Sequence, residues 1–236
     1  LLEAFQHAVA NPLPWVECAE APVQAHISLA SEEGFDLGRL LPIPKHNKHD
    51  SGQYITAGLV IARNPRTGVQ NVSINRLQLS GPDRLGILIL PRHLHHFYEA
   101  AEAAGGALPC AIVIGVDPMT LLASQAILPL DHDELEVAGA LQGEGLPVVK
   151  CRTSDVRVPA LAEIVIEGRL LPKVREPEGP FGEFPQYYGP SGDREVVQID
   201  AVTRRDEALF HTIVPAAMEH LLLGGIAREA SILSLL

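Results

Sequence analysis

Basic runs, long apolar stretches and paired cysteines are all missing from this sequence, and each absence closes off a class of function. Lys and Arg number 18 against 29 Asp and Glu, a formal net charge of −11, and no basic cluster interrupts that balance. Nucleic acid and anionic membrane surfaces are therefore poor partners, and any anion must be held locally, by a placed Arg or a metal ion. No apolar run reaches the roughly 20 residues of a membrane span. The start, Leu1-Leu2-Glu3-Ala4-Phe5, lacks the basic-then-apolar order of a secretory signal. It also lacks an initiator Met and begins inside a helical pattern, so the chain reads as an excised or processed piece. Cys18, Cys110 and Cys151 are odd in number and share neither metal-type nor redox spacing. They read as buried thiols in a reducing compartment, which places the protein in the cytoplasm. There is no internal repeat and no low-complexity tract.

What is present is a chain of 236 residues, 47% of them apolar, enough for one large domain or two small ones with a sizeable core. Residues 1 to 10 form an amphipathic pattern that stops at Asn11-Pro12. Residues 11 to 52 are loop-rich. Strands are expected at 53 to 62, 69 to 79 and 84 to 90, an antiparallel meander punctuated by Asn64-Pro65-Arg66-Thr67-Gly68 and Ser80-Gly81-Pro82-Asp83. A helix follows from Pro91 to Ala104, then a buried strand at Cys110 to Ile114 and helices at Pro118 to Gln125 and His132 to Leu141. Strands at 146 to 151 and 162 to 169 come next. A hairpin of 195 to 203 with 208 to 213 precedes a last helix, Pro215 to Leu235, with Gly224-Gly225 as its weak point. The whole is α+β, an antiparallel sheet or barrel with helices around it.

Chemistry is concentrated at Glu178-Gly179-Pro180-Phe181-Gly182-Glu183. Pro180 removes an amide donor, and Gly179 and Gly182 permit backbone angles and close approaches that other residues forbid. Gly, Pro and Glu together more often make a polar surface turn, and alone the stretch would read so. Phe181 between the acids argues instead for a loop facing something apolar, with one carboxylate holding a partner and the other moving a proton. In Asn71-Val72-Ser73-Ile74-Asn75-Arg76, strand alternation puts Asn71, Ser73 and Asn75 on one face. That is either a solvated sheet face or the lining of a pocket for a polar ligand. His93 and His96 share a helix face near an N-terminus, where capping or surface roles compete with anion or metal binding. Asp131 and Asp133 read as favourable charge before a helix. In Lys45-His46-Asn47-Lys48-His49-Asp50, His46 reads as a solvated loop residue, whereas His49-Asp50-Ser51-Gly52 runs into a strand and could face a cleft. Asn, His and Glu ligands suit Mn²⁺ or Mg²⁺ with a phosphate as a further ligand, a means by which an acidic protein can hold a phosphorylated cofactor.

These stretches resemble the UbiD family of reversible decarboxylases. The resemblance runs from His49-Asp50-Ser51-Gly52-Gln53-Tyr54-Ile55-Thr56 through Asn71-to-Arg76, Arg92-His93, Glu134-to-Leu141, Val148-to-Cys151, Val158-Pro159-Ala160 and Ala162-to-Gly168 to Glu178-to-Glu183. It covers most of residues 40 to 190 in the family's order. It implies a split β-barrel of the flavin-binding type, with residues 1–236 as the central prenylated-FMN-binding domain, lacking the family's N-terminal segment and C-terminal α/β domain. It implies prenylated FMN beside Asn71, Val72, Ser73, Ile74, Asn75, Arg76, Arg92, His93 and Glu134. It further implies Mn²⁺ (or Mg²⁺) on Asn71, His93 and Glu134, and K⁺ with Thr56 and Ser73 as candidates. Arg76, Glu178 and Glu183 match the family's catalytic groups, with Glu183 delivering or removing the proton. One departure is Pro185-Gln186, where the family commonly has Thr-Gly.

The resemblance implies reversible, non-oxidative decarboxylation of an aromatic, heteroaromatic or α,β-unsaturated acid through a covalent adduct with prenylated FMN. CO₂, a flavin prenyltransferase as cofactor supplier and a homo-oligomer belong to the same expectation. Glu183 must be neutral in at least one step, a form that an apolar neighbour such as Phe181 favours. Two other readings stand beside it. One is a split-barrel FMN oxidoreductase using a nicotinamide, which leaves the two-acid loop without a role; the other is a non-catalytic flavin-binding or assembly module.

Overall fold

Short runs rich in Val, Ile and Leu, broken by glycine and proline turns, build the strands at the centre of the protein. The computed structural model describes residues 1–234. Helix α1 (Leu2–Ala10) leads to β1 (Val16–Cys18), a 3-10 turn, β2 (His26–Leu29) and the single-turn α2 (Leu37–Leu40). Then come β3 (Tyr54–Ile55), β4 (Leu59–Arg63), β5 (Gln70–Ile74), β6 (Leu77–Gly81) and β7 (Arg84–Ile87). Helix α3 (His93–Ala103), β8 (Leu108–Ile114), α4 (Pro118–Ala123) and α5 (Glu134–Gln142) precede β9 (Pro147–Lys150) and β10 (Arg157–Pro159). The chain finishes with β11 (Ile164–Glu178), β12 (Phe181–Gly182), β13 (Tyr188–Gly189), β14 (Gly192–Arg204) and α6 (Met218–Leu233).

The main sheet has the order β3-β6-β7-β14-β11-β8-β4-β5, with β2 added on β14, and its ladders are antiparallel. A small sheet, β1-β9-β10, pairs β1 with β9 in parallel. In the main sheet β5 lies at one end and β6 next to the other, yet only Asn75 and Arg76 separate them in the chain. Three residue steps span at most about 11 Å. The sheet must therefore curl until its ends approach each other at this dipeptide. Among the described residues no ladder joins β3 to β5, so the curl is not closed by hydrogen bonds.

Alternation makes the sheet a wall between two cores. Cys110, Ile112 and Ile114 of β8 join Leu77, Leu85, Ile87 and Val197, with Leu94, Phe97 and Tyr98 of α3. Ala111 and Val113 join Leu59, Ile61, Val72 and Val165, with Leu135, Val137 and Ala138 of α5 and Val148, Val149 and Val158 of the small sheet. Helices α1 and α6 meet around Phe5, Ala227 and Ala230. Cys110 and Cys151 are buried, Cys18 is half-buried, and all three are free thiols. No helix among the described residues is long and apolar enough to cross a membrane.

The α+β expectation holds, and the departures from the expected elements have local causes. The strand expected at 53 to 62 is two strands, because the chain leaves its pairing with β6 after Ile55 and joins β5 and β8 from Leu59 on. The strand expected at 69 to 79 breaks at Asn75-Arg76, where the chain crosses from one end of the sheet to the other. The strand expected to stop at 169 continues to Glu178, through a register shift between Leu170 and Arg175 where Lys173 has a φ of 60°. The expected hairpin of 195–203 with 208–213 is absent: β14 pairs with β11, β7 and β2. Side chains take up the backbone of the 208–213 segment instead, with Leu209 N donating to Glu163 Oε2 at 2.9 Å and Ile213 N to Thr56 Oγ1 at 3.1 Å. The last helix spans Met218–Leu233 and carries Gly224-Gly225 without a break; Leu235 lies outside the described residues.

Candidate active site

Arg76 sits at the junction between β5 and β6, and its guanidinium is claimed from two sides. Its Nε donates to Glu178 Oε1 at 3.0 Å and its Nη2 to Glu178 Oε2 at 2.7 Å, a two-point clamp that fixes the plane of the group. Its Nη1 donates to Glu183 Oε1. Side-chain exposure falls from 32% for Glu183 to 9% for Arg76 and 0% for Glu178. Glu178 is thus the fixed partner and Glu183 the one with room to move. Burial alone would lower the basicity of Arg76, but the hydrogen bonds and charge of Glu178, with the charge of Glu183, raise it. Phe181, between the two acids, lies under this cation with its ring centre 5.4 Å from Arg76 Cζ.

The two-acid loop is pinned along its length. Glu178 ends the 15-residue β11, the Gly179–Pro180 peptide is cis, and Phe181 and Gly182 pair with Gly189 and Tyr188 as a small hairpin. Gly179 takes a φ of 86°, which glycine adopts without strain. Gly179 N donates to Gln78 Oε1 at 3.0 Å, Ser51 N to Pro180 O at 2.9 Å and Gly182 N to Asp50 Oδ1 at 2.9 Å. Tyr54, in contact with Phe181 at 4.5 Å between ring centres, donates its hydroxyl to Gln78 Oε1. Burial pushes that phenol up to about 12, so it stays neutral. His46, expected in a solvated loop, is half-buried instead. Its ring stands edge-on to Phe181 at 6.2 Å and its Nε2 lies 2.8 Å from Thr212 Oγ1, because the 208–213 segment covers it.

A second cluster lies at the other end of the same short stretch of chain. Asn71 Nδ2 donates to Glu134 Oε1 at 2.8 Å, and Val72 N donates to Glu134 Oε2 at 2.7 Å. Glu134 is the first residue of α5, and burial pushes its carboxyl up to about 8 despite those bonds. Beside it, Asp133 caps α5 by accepting from Leu135 N at 2.9 Å and holds Trp15 Nε1 at 3.2 Å; burial raises it to about 6. Asp131 faces away from the helix, accepting from Asn64 and Thr67 at 2.7 Å each. His93 is the first residue of α3, which packs on β5 as α5 does. Its imidazole is lowered by burial and then by His96, a shift toward the neutral form that ligates metals. Among the described residues it makes no hydrogen bond, and none joins it to Asn71 or Glu134.

The donor chemistry fits a hard divalent cation. A carboxylate as deep as Glu134 with only neutral N–H partners favours its neutral form, and an adjacent cation would keep it ionised. Asn71 spends an amide hydrogen on Glu134, and its amide oxygen accepts no protein hydrogen bond among the described residues. No three His, Cys, Asp or Glu side chains converge among the described residues, and of the three expected ligands only Asn71 and Glu134 are joined by a contact. Ser73 Oγ donates to Asn75 Oδ1 at 2.9 Å, and Asn75 Nδ2 to Leu88 O at 3.1 Å, fixing the polar face of β5. Ile74 packs against the second core, and Arg92 is exposed at the cap of α3. Thr56 is committed elsewhere: Ile213 N donates to its hydroxyl, which lies 2.9 Å from Thr212 Oγ1 and 3.3 Å from His46 Nε2. Sequence reasoning missed Gln78 and Thr212, whose signal is only polarity at unremarkable positions.

Comparison with known proteins gives a consistent picture. The family model described as 3-octaprenyl-4-hydroxybenzoate carboxy-lyase Rift-related domain, UbiD, matches residues 15–218. The chain is 43% identical over 221 residues to the anhydromevalonate phosphate decarboxylase of Methanothermobacter thermautotrophicus, covering 92% of this chain and 52% of that protein. It is 34% identical over 246 residues to the gallate decarboxylase of Lactiplantibacillus plantarum, covering 98% of this chain and 50% of that one. Among solved structures, the UbiD-class enzyme HmfF from Pelotomaculum thermopropionicum, in complex with prFMN, superposes with a TM-score of 0.95 at 58% identity. That match covers 99% of this chain and 54% of the other. The chain spans about half the length of the curated relatives it matches.

Proposed function

The chain belongs to the UbiD family, and on that premise we propose that it is the cofactor-holding part of an enzyme that reversibly decarboxylates an aromatic, heteroaromatic or α,β-unsaturated acid. The observation that carries the proposal is Arg76 clamped by a fully buried Glu178 while a partly exposed Glu183 shares the same guanidinium. One acid would orient and the other would move.

Prenylated FMN, when bound, supplies an electron sink for the charge left on an sp² carbon as CO₂ departs. Arg76 would draw in and orient an anionic group, with Glu178 fixing the guanidinium plane. Glu183 would release Arg76, take up a proton and hand it to the substrate carbon, or run the same transfer backwards in carboxylation. Asn71, His93 and Glu134 would hold Mn²⁺ (or Mg²⁺) against the cofactor phosphate, with Val72, Ser73, Ile74, Asn75 and Arg92 lining that side. For K⁺, Ser73 fits better than Thr56, whose oxygen already accepts from a backbone amide. The curled sheet would be the split barrel of the fold, open between β3 and β5. The proposal extends to a homo-oligomer in the cytoplasm, supplied with cofactor by a flavin prenyltransferase.

Glu183→Gln in the full-length enzyme tests the reading. The flavin absorbance of the purified protein should persist while CO₂ release from a panel of aryl acids falls by about 10²- to 10⁴-fold, the worth of a general acid. Unchanged turnover would remove Glu183 from the mechanism.

A further inference from the structure

Asp50 is buried to 3% exposure, and no cation pairs with it among the described residues. Its carboxylate is spent wholly on backbone. Oδ2 accepts from Asn47 N at 2.7 Å, closing the turn in which it sits, and Oδ1 accepts from Gly182 N at 2.9 Å, 132 residues away. A local turn needs only the first of these bonds, and an uncompensated buried charge is costly to keep. The second bond therefore calls for its own reason. Gly182 is the residue between Phe181 and Glu183. The flanking residues grip the same hairpin: Ser51 N donates to Pro180 O at 2.9 Å, and His49 N to Tyr188 Oη at 3.2 Å. The contact is close enough that a Cβ added to Gly182 would meet Asn47 Nδ2 at 2.5 Å.

We propose that Asp50 is a positioning residue for Glu183, its carboxylate clamping the Gly182 amide and so setting the direction in which Glu183 presents its own carboxyl. The segment 47–51 is then a splint laid along the two-acid loop, with Asp50 as its central fastening. A charged acceptor holds an amide more firmly than a neutral one, which accounts for an Asp where an Asn could close the same turn. The inference rests on the proposed role of Glu183.

The test is Asp50→Asn in the full-length protein, read in two ways. In the cofactor-free protein, amide hydrogen exchange of the peptide spanning residues 178–189 should accelerate by about 10- to 100-fold, the worth of a hydrogen bond to a charged group, while β8 keeps its protection. In the loaded enzyme kcat should fall by about the same factor with KM within about threefold, the signature of a misdirected acid. Loop exchange and kcat both within twofold of the parent overturn the proposal. So does equal acceleration in β8, which would mean general loosening. Should Asp50→Asn not fold, Asp50→Glu keeps the charge but displaces the carboxylate from the Gly182 amide, and the same two results decide. Glu183→Gln made alongside separates the claims: if it leaves turnover intact, the role of Glu183 fails and the exchange result alone decides whether Asp50 holds the loop.

Discussion

Replacing Glu178 by Gln should cost the fold far more than its single-atom change implies. The side chain is fully buried, and both oxygens are engaged, at 3.0 Å from Arg76 Nε and 2.7 Å from Nη2. A Gln keeps one carbonyl oxygen for one of these donors and turns an NH₂ group toward the other. The lost hydrogen bond to a charged group costs about 1.5–3 kcal/mol. Removing the whole of a buried counter-charge costs about 3–5 kcal/mol, but Glu183 still partners Arg76 and a neutral amide is cheaper to bury, so the net is about 2–3 kcal/mol. With a urea slope near 3 kcal/mol/M for a chain of this size, the unfolding midpoint should drop by roughly 0.7–1 M. Trp15, the only tryptophan in the chain, reports the transition by fluorescence. A drop below about 0.3 M would refute the reasoning. A second comparison sharpens it: Glu178→Leu strands a buried cation, whereas Arg76→Leu with Glu178→Leu removes both charges. The double variant should be the more stable of the two; if the losses simply add, the pair is not coupled as its geometry requires.

Three further outcomes follow from the same structure. Glu134 is raised by burial from 4.5 to about 8, so it favours the native state only while protonated. That contribution is complete below about pH 4.5 and is lost as the pH climbs through 8; metal-free protein should therefore melt at lower temperature across this window, and Glu134→Gln should flatten the slope. Since an ion needs the carboxylate, adding Mn²⁺ should raise the melting temperature more at pH 8 than at pH 6, an effect Glu134→Gln should abolish. Phe181→Ala removes a ring that is 3% exposed and packs on Tyr54, His46 and Arg76; a loss of about 3–5 kcal/mol in urea titration is expected.

How far the sequence revealed this arrangement depended on where each segment found its hydrogen bonds. Elements satisfied within themselves or by a strong pattern were legible, as with Pro91–Ala104 against the observed α3 and Cys110–Ile114 against β8. The far half of β11 was not, because Pro172, Lys173 and Pro177 disguise a strand whose pairing with β14 is set from a distance. The segment 208–213 looked like a strand by composition, but its amides are met by Glu163 and Thr56, residues no local pattern points to. At the site, Arg76, Glu178 and Glu183 were visible as residue types and do come together. His46 was misjudged because what buries it, Phe181 and Thr212, lies far along the chain.

The placement of Arg76 at the dipeptide that ties one end of the curled sheet to the strand next to its other end has an architectural consequence. The arginine is, in effect, the stitch in a seam. Any repacking that changes the curl of the sheet beneath it should change the gap across that seam, and with it the span between the Asn71–Glu134 pair and the two acids of the hairpin. The curvature of the sheet is therefore a dial on the spacing of these polar groups, one that substitutions well away from them can turn.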